Sequence, residues 1–252
     1  MQSLERGLAV IRAFDKERRS LTLSDVARET GLSRASARRF LHTLVELGYV
    51  ATDGREFTLR PALLDLGFAY LSSLTLPEIA APHLEELSQE VSESSSVAVL
   101  DGADIVYVAR VATHRIMSAA IRVGTRFPAY ATSMGRAILA FAEADALDAY
   151  LAAAAPSNRL APLTARTITE LPLLRAELAR VREQGWALVD QELEDGLRSV
   201  AAPLRDGAGR VVAAVNVSAP VRRGDVDTLV QQLLPPLLKA GTAIEADLAR
   251  MR

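Results

Sequence analysis

The chain has 252 residues, 50% of them hydrophobic and 24% charged, enough to bury the core of one large domain or two ordinary ones. It contains no cysteine, which excludes disulfides, cysteine nucleophiles and thiolate metal sites. The net charge of −2 is unevenly spread: residues 1–60 carry 11 Lys and Arg against 8 Asp and Glu, and the rest carries 18 against 23, so a basic N-terminal unit precedes an acidic body.

No apolar run approaches the roughly 18 to 20 residues that a membrane span needs, and the N-terminus MQSLERGLAVIRAF is amphipathic. No signal peptide and no membrane partner are therefore expected, and a cytoplasmic location is. The first element reads as a helix over 3–14, with Ser3 as its cap and Leu4, Leu8, Ile11 and Phe14 on one side. A short β-prone piece, Leu21–Leu23, leads into a helix over 23–30 capped by Thr22 or Ser24 and closed by Gly31. Ser33 caps a third helix that runs to Leu47 and stops at Gly48. Residues 49–60 then alternate on either side of Asp53-Gly54, a hairpin signal.

On a wheel at 100° per residue, the third helix sets Ala37, Phe40, Leu41, Leu44 and Leu47 on one face. Ala35, Arg38, Arg39 and His42 stand opposite, with Ser36 and Thr43 beside them. A slim face with two arginines, a histidine and small residues suits the major groove of double-stranded DNA, where such side chains reach base edges. Arg34 lies at the helix N-terminal edge, and Arg55 and Arg60 lie on the hairpin, placed for phosphates. Helix, helix, Gly turn, Ser-capped helix and hairpin in this order describe a winged helix-turn-helix over residues 1–60.

Pro61 opens an apolar segment read as a linker helix to residue 74, within a linker at 61–76. The remainder, 77–252, is one α/β (α+β) domain. A helix is expected over 77–92 with Ile79, Leu84 and Leu87 inward. Two strands flank the Asp101-Gly102 turn in 95–111, and a third is expected at 116–123. Residues 124–133 read as a loop, and helices follow at 134–142, 145–154 and 168–184. Strands at 186–191, 197–205 and 210–220 and a helix over 225–250 close the chain. Strands bounded by helices at both ends predict a mixed or antiparallel sheet between helical layers.

Enzyme motifs are wanting. His42, His83 and His114 have no partner at metal-ligand spacing, and no G-x-S-x-G elbow or P-loop occurs. Gly207-Ala208-Gly209 is a turn between strands. Asp190, Glu192 and Glu194 leave acid–base chemistry on a small carboxylic acid as an alternative, and a constitutive DNA-binding protein with a purely oligomerising second domain as another. No cofactor and no metal are expected. A binding pocket fits better: Tyr130 to Gly135 enters a helix through small residues whose backbone N–H groups suit a carboxylate. Asn216 and Ser218 alternate with Val215 and Val217, so two polar groups share one side of a strand, toward a ligand or toward solvent. Arg122, Arg126, Arg136 and Arg198 are candidate counterions; Arg126, beside the loop, is the one chosen. Trp186 and Phe127 could wall an aromatic ring.

SLERGLAVIRAF, LTLSDVARETGLSRASARRFLHTLVELGYV, VGTRFPAYATSMGRAILA (123–140) and DQELEDGLRSVAAPLRD (190–206) together resemble the IclR family of bacterial regulators over nearly the whole chain. RVATHRIMSAAIRVGTRFPAYATS resembles its branch regulating aromatic-acid catabolism through protocatechuate, 4-hydroxybenzoate or catechol and the β-ketoadipate pathway. The resemblance implies a GAF-like effector domain, a homodimer or dimer of dimers, palindromic operators about 34 Å between half-sites, and a small carboxylate effector. It also implies effector contacts at Ser133 and Met134, and at Asp190, Ser199, Asn216 and Ser218.

Overall fold

The computed structural model describes residues 2–15, 18–66, 75–113, 121–155 and 159–250. They form two compact units, Met1–Ser73 and Leu74–Arg252.

In the first unit, α1 (Gln2–Arg12), α2 (Leu23–Thr30) and α3 (Arg34–Glu46) are followed by the hairpin β2 (Val50–Thr52) and β3 (Glu56–Leu59). β1 (Ser20–Thr22) joins it to give a three-stranded antiparallel sheet in the order β1-β3-β2. Local chemistry sets these boundaries. Thr22 and Asp25 form a reciprocal capping box on α2, Gly31 closes it at φ 66°, and Ser33 Oγ accepts from the Ser36 N–H to start α3. Val10, Phe14, Val26, Leu41, Leu44, Val50 and Phe57 build the core.

Two expectations change. Ser3 lies inside α1, and Leu4 and Leu8 are exposed. Of the expected stripe, Ile11 and Phe14 do meet the core, together with Val10 and Ala13; Ala13 and Phe14 lie beyond the helix end. Leu47 is also exposed, because α3 ends at Glu46 and the chain turns away through Gly48.

The second unit holds a six-stranded sheet in the order β6-β5-β4-β9-β8-β7. Its strands are β4 (Ser94–Asp101), β5 (Asp104–Val111), β6 (Arg126–Pro128), β7 (Ala187–Asp190), β8 (Leu197–Arg205) and β9 (Val211–Pro220). All its pairings are antiparallel, so the sheet is not mixed. The helices α4 (Thr75–Val91) and α8 (Val226–Arg250) cover one face over Val97, Val200, Val215 and Val217. α5 (Ser133–Leu139), α6 (Ala144–Ala154) and α7 (Leu171–Gln184) build the core on the other face, over Ala98, Ala201 and Ala214. Helical layers on both faces leave every residue of β9 from Ala213 to Ala219 buried.

The strand expected at 116–123 falls mostly outside the described residues; 121–123 are not extended in a ladder, and the strand next to β5 is instead β6, within the segment read as a loop. Of the expected linker helix, residues 63–66 are helical and 67–74 lie outside the described residues.

Candidate DNA-binding face and effector cavity

α3 presents the face expected of it. Ala35, Arg38, Arg39 and His42 are exposed, while Ala37, Leu41 and Leu44 are buried. Arg34 is exposed in the first turn, and Ser36 is half-buried with its N–H held by Ser33. The His42 ring meets Phe57 of β3 edge-on at 6.3 Å between centroids, which ties the exposed side of α3 to the wing. The wing turn is built by Asp53, whose Oδ1 accepts from the N–H groups of Arg55 and Glu56 at 2.8 and 2.7 Å. The Glu56 and then the Arg55 donor hold the Asp53 carboxyl below the usual carboxylate range. Arg55 is left pointing to solvent at the turn. Arg34, Arg38, Arg39 and Arg55 have no ion pair among the described residues, whereas Arg18 and Arg28 of the same unit are neutralised by Asp15, Glu29 and Asp25. Four uncompensated guanidiniums make a surface suited to phosphate and base edges.

In the second unit, a narrow cavity lies between the sheet and the start of α5. Ala131, Thr132, Ser133 and Met134 form one wall; Tyr107, Ser199, Asn216 and Ser218 form the floor; Val189, Leu193 and Leu197 close it. Strand register puts the floor together: Ser218 stands opposite Ser94 on one side and Ser199 on the other, and Ser199 stands opposite Val189. The expected pair on β9 thus faces the cavity, not solvent, with Asn216 3% and Ser218 8% exposed.

Two polar atoms of this cavity have no partner. Ser133 Oγ is one and Asn216 Oδ1 is the other, the Asn216 Nδ2 donating to Ser218 Oγ at 3.0 Å. Whichever way that amide is turned, one of its terminal atoms stays unpaired. Buried polar atoms without partners cost roughly 1–3 kcal/mol each and are few in native proteins. Tyr107 adds a phenol whose pKa burial pushes up to about 12, so it remains a hydroxyl donor. α5 has seven residues, and its Gly135 and Arg136 N–H groups are taken by Thr132.

Three expected contacts are corrected. Arg126 is exposed on the edge strand β6 and is held by Asp101 at 2.5 Å and Asp104 at 3.2 Å, away from the cavity lining. Tyr130 is buried in the core: its hydroxyl donates to the Ala161 carbonyl, its N–H donates to the Tyr150 hydroxyl, and it does not line the cavity. Asp190 is on the wrong side of β7. Side chains alternate, and Val189 is the residue that lines the cavity; Asp190 instead accepts from Arg198 Nε at 2.6 Å. Arg122 is exposed, and neither Trp186 nor Phe127 lines the cavity.

Arg136 is consumed as well. It is 1% exposed, pairs through two nitrogens with both Glu192 oxygens at 2.6 Å, and donates from Nε to the Tyr130 carbonyl. Ile168 N–H also donates to Glu192. The pair fastens α5 to the segment that carries Leu193, and so holds two walls of the cavity in place. Gly135 is required beside it: a Cβ there would stand 2.1 Å from the Ala129 carbonyl oxygen. Thr132 lies within the loop expected to bind; Tyr107 and Leu193 were not legible as cavity residues, because only the register and the fold of the 191–196 turn bring them there.

Comparison with known proteins agrees over both units. Residues 3–54 match the IclR helix-turn-helix domain, and residues 68–246 match the C-terminal domain of bacterial IclR transcriptional regulators. The Pca regulon regulatory protein of Pseudomonas putida is 47% identical over 241 residues, 95% of this chain and 81% of that protein. The p-hydroxybenzoate hydroxylase transcriptional activator of Acinetobacter baylyi is 34% identical over 239 residues, 93% of this chain and 87% of that protein. A transcriptional regulator of Rhodococcus sp. RHA1 superposes with a TM-score of 0.89 at 57% identity, covering 100% of both chains. An IclR homologue of Microbacterium hydrocarbonoxydans, crystallised with 4-hydroxybenzoate, superposes at 0.83 with 28% identity, covering 99% and 100%. With both units matched and relatives of this identity aligned along almost its whole length, the chain belongs to the IclR family of bacterial transcriptional regulators.

Proposed function

We propose that this regulator binds an aromatic carboxylic acid in the cavity beneath α5 and that occupancy alters its hold on operator DNA. One observation carries the reading: Ser133 Oγ and Asn216 Oδ1, both buried and both unpartnered, line the same cavity. A ligand with polar groups satisfies them. Met134, Ser199 and Ser218 complete the contacts, and Tyr107 supplies an aromatic wall and a donor. The Microbacterium homologue crystallised with 4-hydroxybenzoate supports the ligand class.

The cavity has room for about one water molecule as it stands. A benzoate-sized ligand therefore selects a state in which the cavity is wider, and it shifts the regulator only by binding that state more tightly. In the head, Arg34, Ala35, Ser36, Arg38, Arg39 and His42 read the major groove and Arg55 takes a phosphate beside it. A homodimer or dimer of dimers sets two such heads on a palindrome. Residues 61–76 act as the linker between head and effector domain. The ligand leaves unchanged, since the protein acts by binding and not by turnover.

Calorimetric titration of the purified protein with 4-hydroxybenzoate, 3,4-dihydroxybenzoate and β-keto dicarboxylates tests the reading, with operator gel shifts alongside. Saturable binding of an aromatic acid that changes operator affinity is expected, and the acid should be recovered intact. Turnover of the acid, or no response to any of the panel, overturns it.

A further inference from the structure

A carboxylate entering this cavity needs a cation, and none of the lining residues is one. On β5, however, the register places an arginine on the cavity face. Val97 pairs with Ala109 but Ala98 pairs with Tyr107, so Val108 is an extra residue in the ladder. The bulge breaks the two-residue alternation. Val108 and Ala109 both join the core under α4 and α8, and Tyr107 and Arg110 both turn to the other face, opposite Ala98 and Ser96. The row continues across the sheet, because Ser96 is opposite Asn216 on β9. Adjacent strands lie about 4.8 Å apart, so Arg110 and Asn216 are about 10 Å apart at the backbone, a gap that two side chains and a carboxylate can span.

Arg110 is half-buried and incompletely satisfied. Its Nη1 donates to Ser96 Oγ at 3.0 Å, but Nε is buried with no partner, and burial lowers its pKa from the usual arginine value. It has no carboxylate partner among the described residues. Other arginines at comparable depth in this unit are neutralised: Arg136 by Glu192, Arg198 by Asp190, Arg205 by Glu245 and Arg223 by Glu93. A guanidinium withdrawn from water without a counterion is unfavourable, and an anionic ligand relieves it.

We propose that Arg110 is the anchor for the effector's carboxylate, gripping it against the Ser96 and Asn216 row. This rests on the cavity being the effector site. It makes Arg110 the residue that distinguishes an acid from its uncharged analogue.

The test compares wild type and Arg110→Gln, titrated calorimetrically with 4-hydroxybenzoate and 3,4-dihydroxybenzoate and with the matching amides. Loss of one charged hydrogen-bond partner predicts about 10- to 100-fold weaker binding of the acid, with affinity for the amide unchanged. Equal acid affinity in the two proteins overturns the assignment while leaving the cavity as the effector site. Equal losses for acid and amide mean a structural role and also overturn it. Failure of the wild type to bind either acid overturns the cavity reading itself. Should Arg110→Gln fail to fold, a crystal structure of the wild type with the bound acid decides. Carboxylate oxygens at about 3 Å from the guanidinium support the anchor; a carboxylate bound elsewhere refutes it.

Discussion

The two units keep the side chains proposed to meet their ligands in opposite environments. On α3, Arg38, Arg39 and His42 stand in solvent, and the core beneath is closed by Ala37, Leu41 and Leu44 whatever those side chains do. Under α5, Ser133, Met134 and Asn216 are buried, two of them with unmet hydrogen bonds. DNA is large and comes to the surface, so its contacts cost the fold little. A small acid must be enclosed, so its contacts are built at the expense of stability. Substitutions on the exposed face of α3 should therefore change binding alone, and those around the cavity should change folding as well.

The largest expected effect is at the Arg136–Glu192 pair. Glu192→Ala leaves a buried guanidinium unpaired and should destabilise the effector unit by about 3–5 kcal/mol, read as a lowered urea midpoint. Gly135→Ala should act in the same range through the clash with the Ala129 carbonyl. If either variant kept full stability, the two environments would not differ as described. Next come Arg38→Ala and Arg39→Ala. Each should weaken operator binding by about 1–3 kcal/mol if it reads a base, with the unfolding midpoint unchanged. A phosphate role would show instead as a salt dependence shallower by about one unit. Unchanged affinity in a gel-shift titration would remove that face from the interface.

Ser133→Ala sharpens the contrast by its sign. Removing an unsatisfied buried hydroxyl should stabilise the free protein by about 1 kcal/mol and yet weaken acid binding. A variant less stable and unaltered in binding would show that Ser133 has a partner in solution. The smallest effect concerns pH. The Thr22 hydroxyl and then its N–H hold the Asp25 carboxyl below its ordinary value of 3.8. A depressed carboxylate contributes stability that is complete above that value and lost as the pH falls through the lowered one. Thr22→Ala should thus slightly destabilise the head near neutral pH, and its difference from wild type should shrink in acid; a difference constant down to strong acid would mean that the charge plays no part.

Much was legible where the signal is local. Ser33, Gly31 and Asp53-Gly54 mark boundaries because caps and tight turns act within three or four residues. Helical period alone separated Arg38, Arg39 and His42 from Leu41 and Leu44, and strand alternation set Asn216 and Ser218 on one side of β9. Arg126, Tyr130 and Asp190 were misplaced because proximity in sequence to the loop or motif says nothing about direction. Leu4 and Leu8 share a helical side with Ile11 and Phe14 but are exposed, because helical period gives the side and not how far along the helix the core extends.

By itself, then, the sequence determined the order of elements, the basic face of α3, the polar pair on β9 and the family. Tertiary structure alone decided which side of each strand meets which helix layer, that Glu192 would absorb Arg136, and that a bulge at Val108 would turn Arg110 toward the Asn216 row. Capping and periodicity are written within a few residues of chain. Register, bulges and ion-pair choice depend on partners as many as 56 to 120 residues away, and only closing the sheet brings them together.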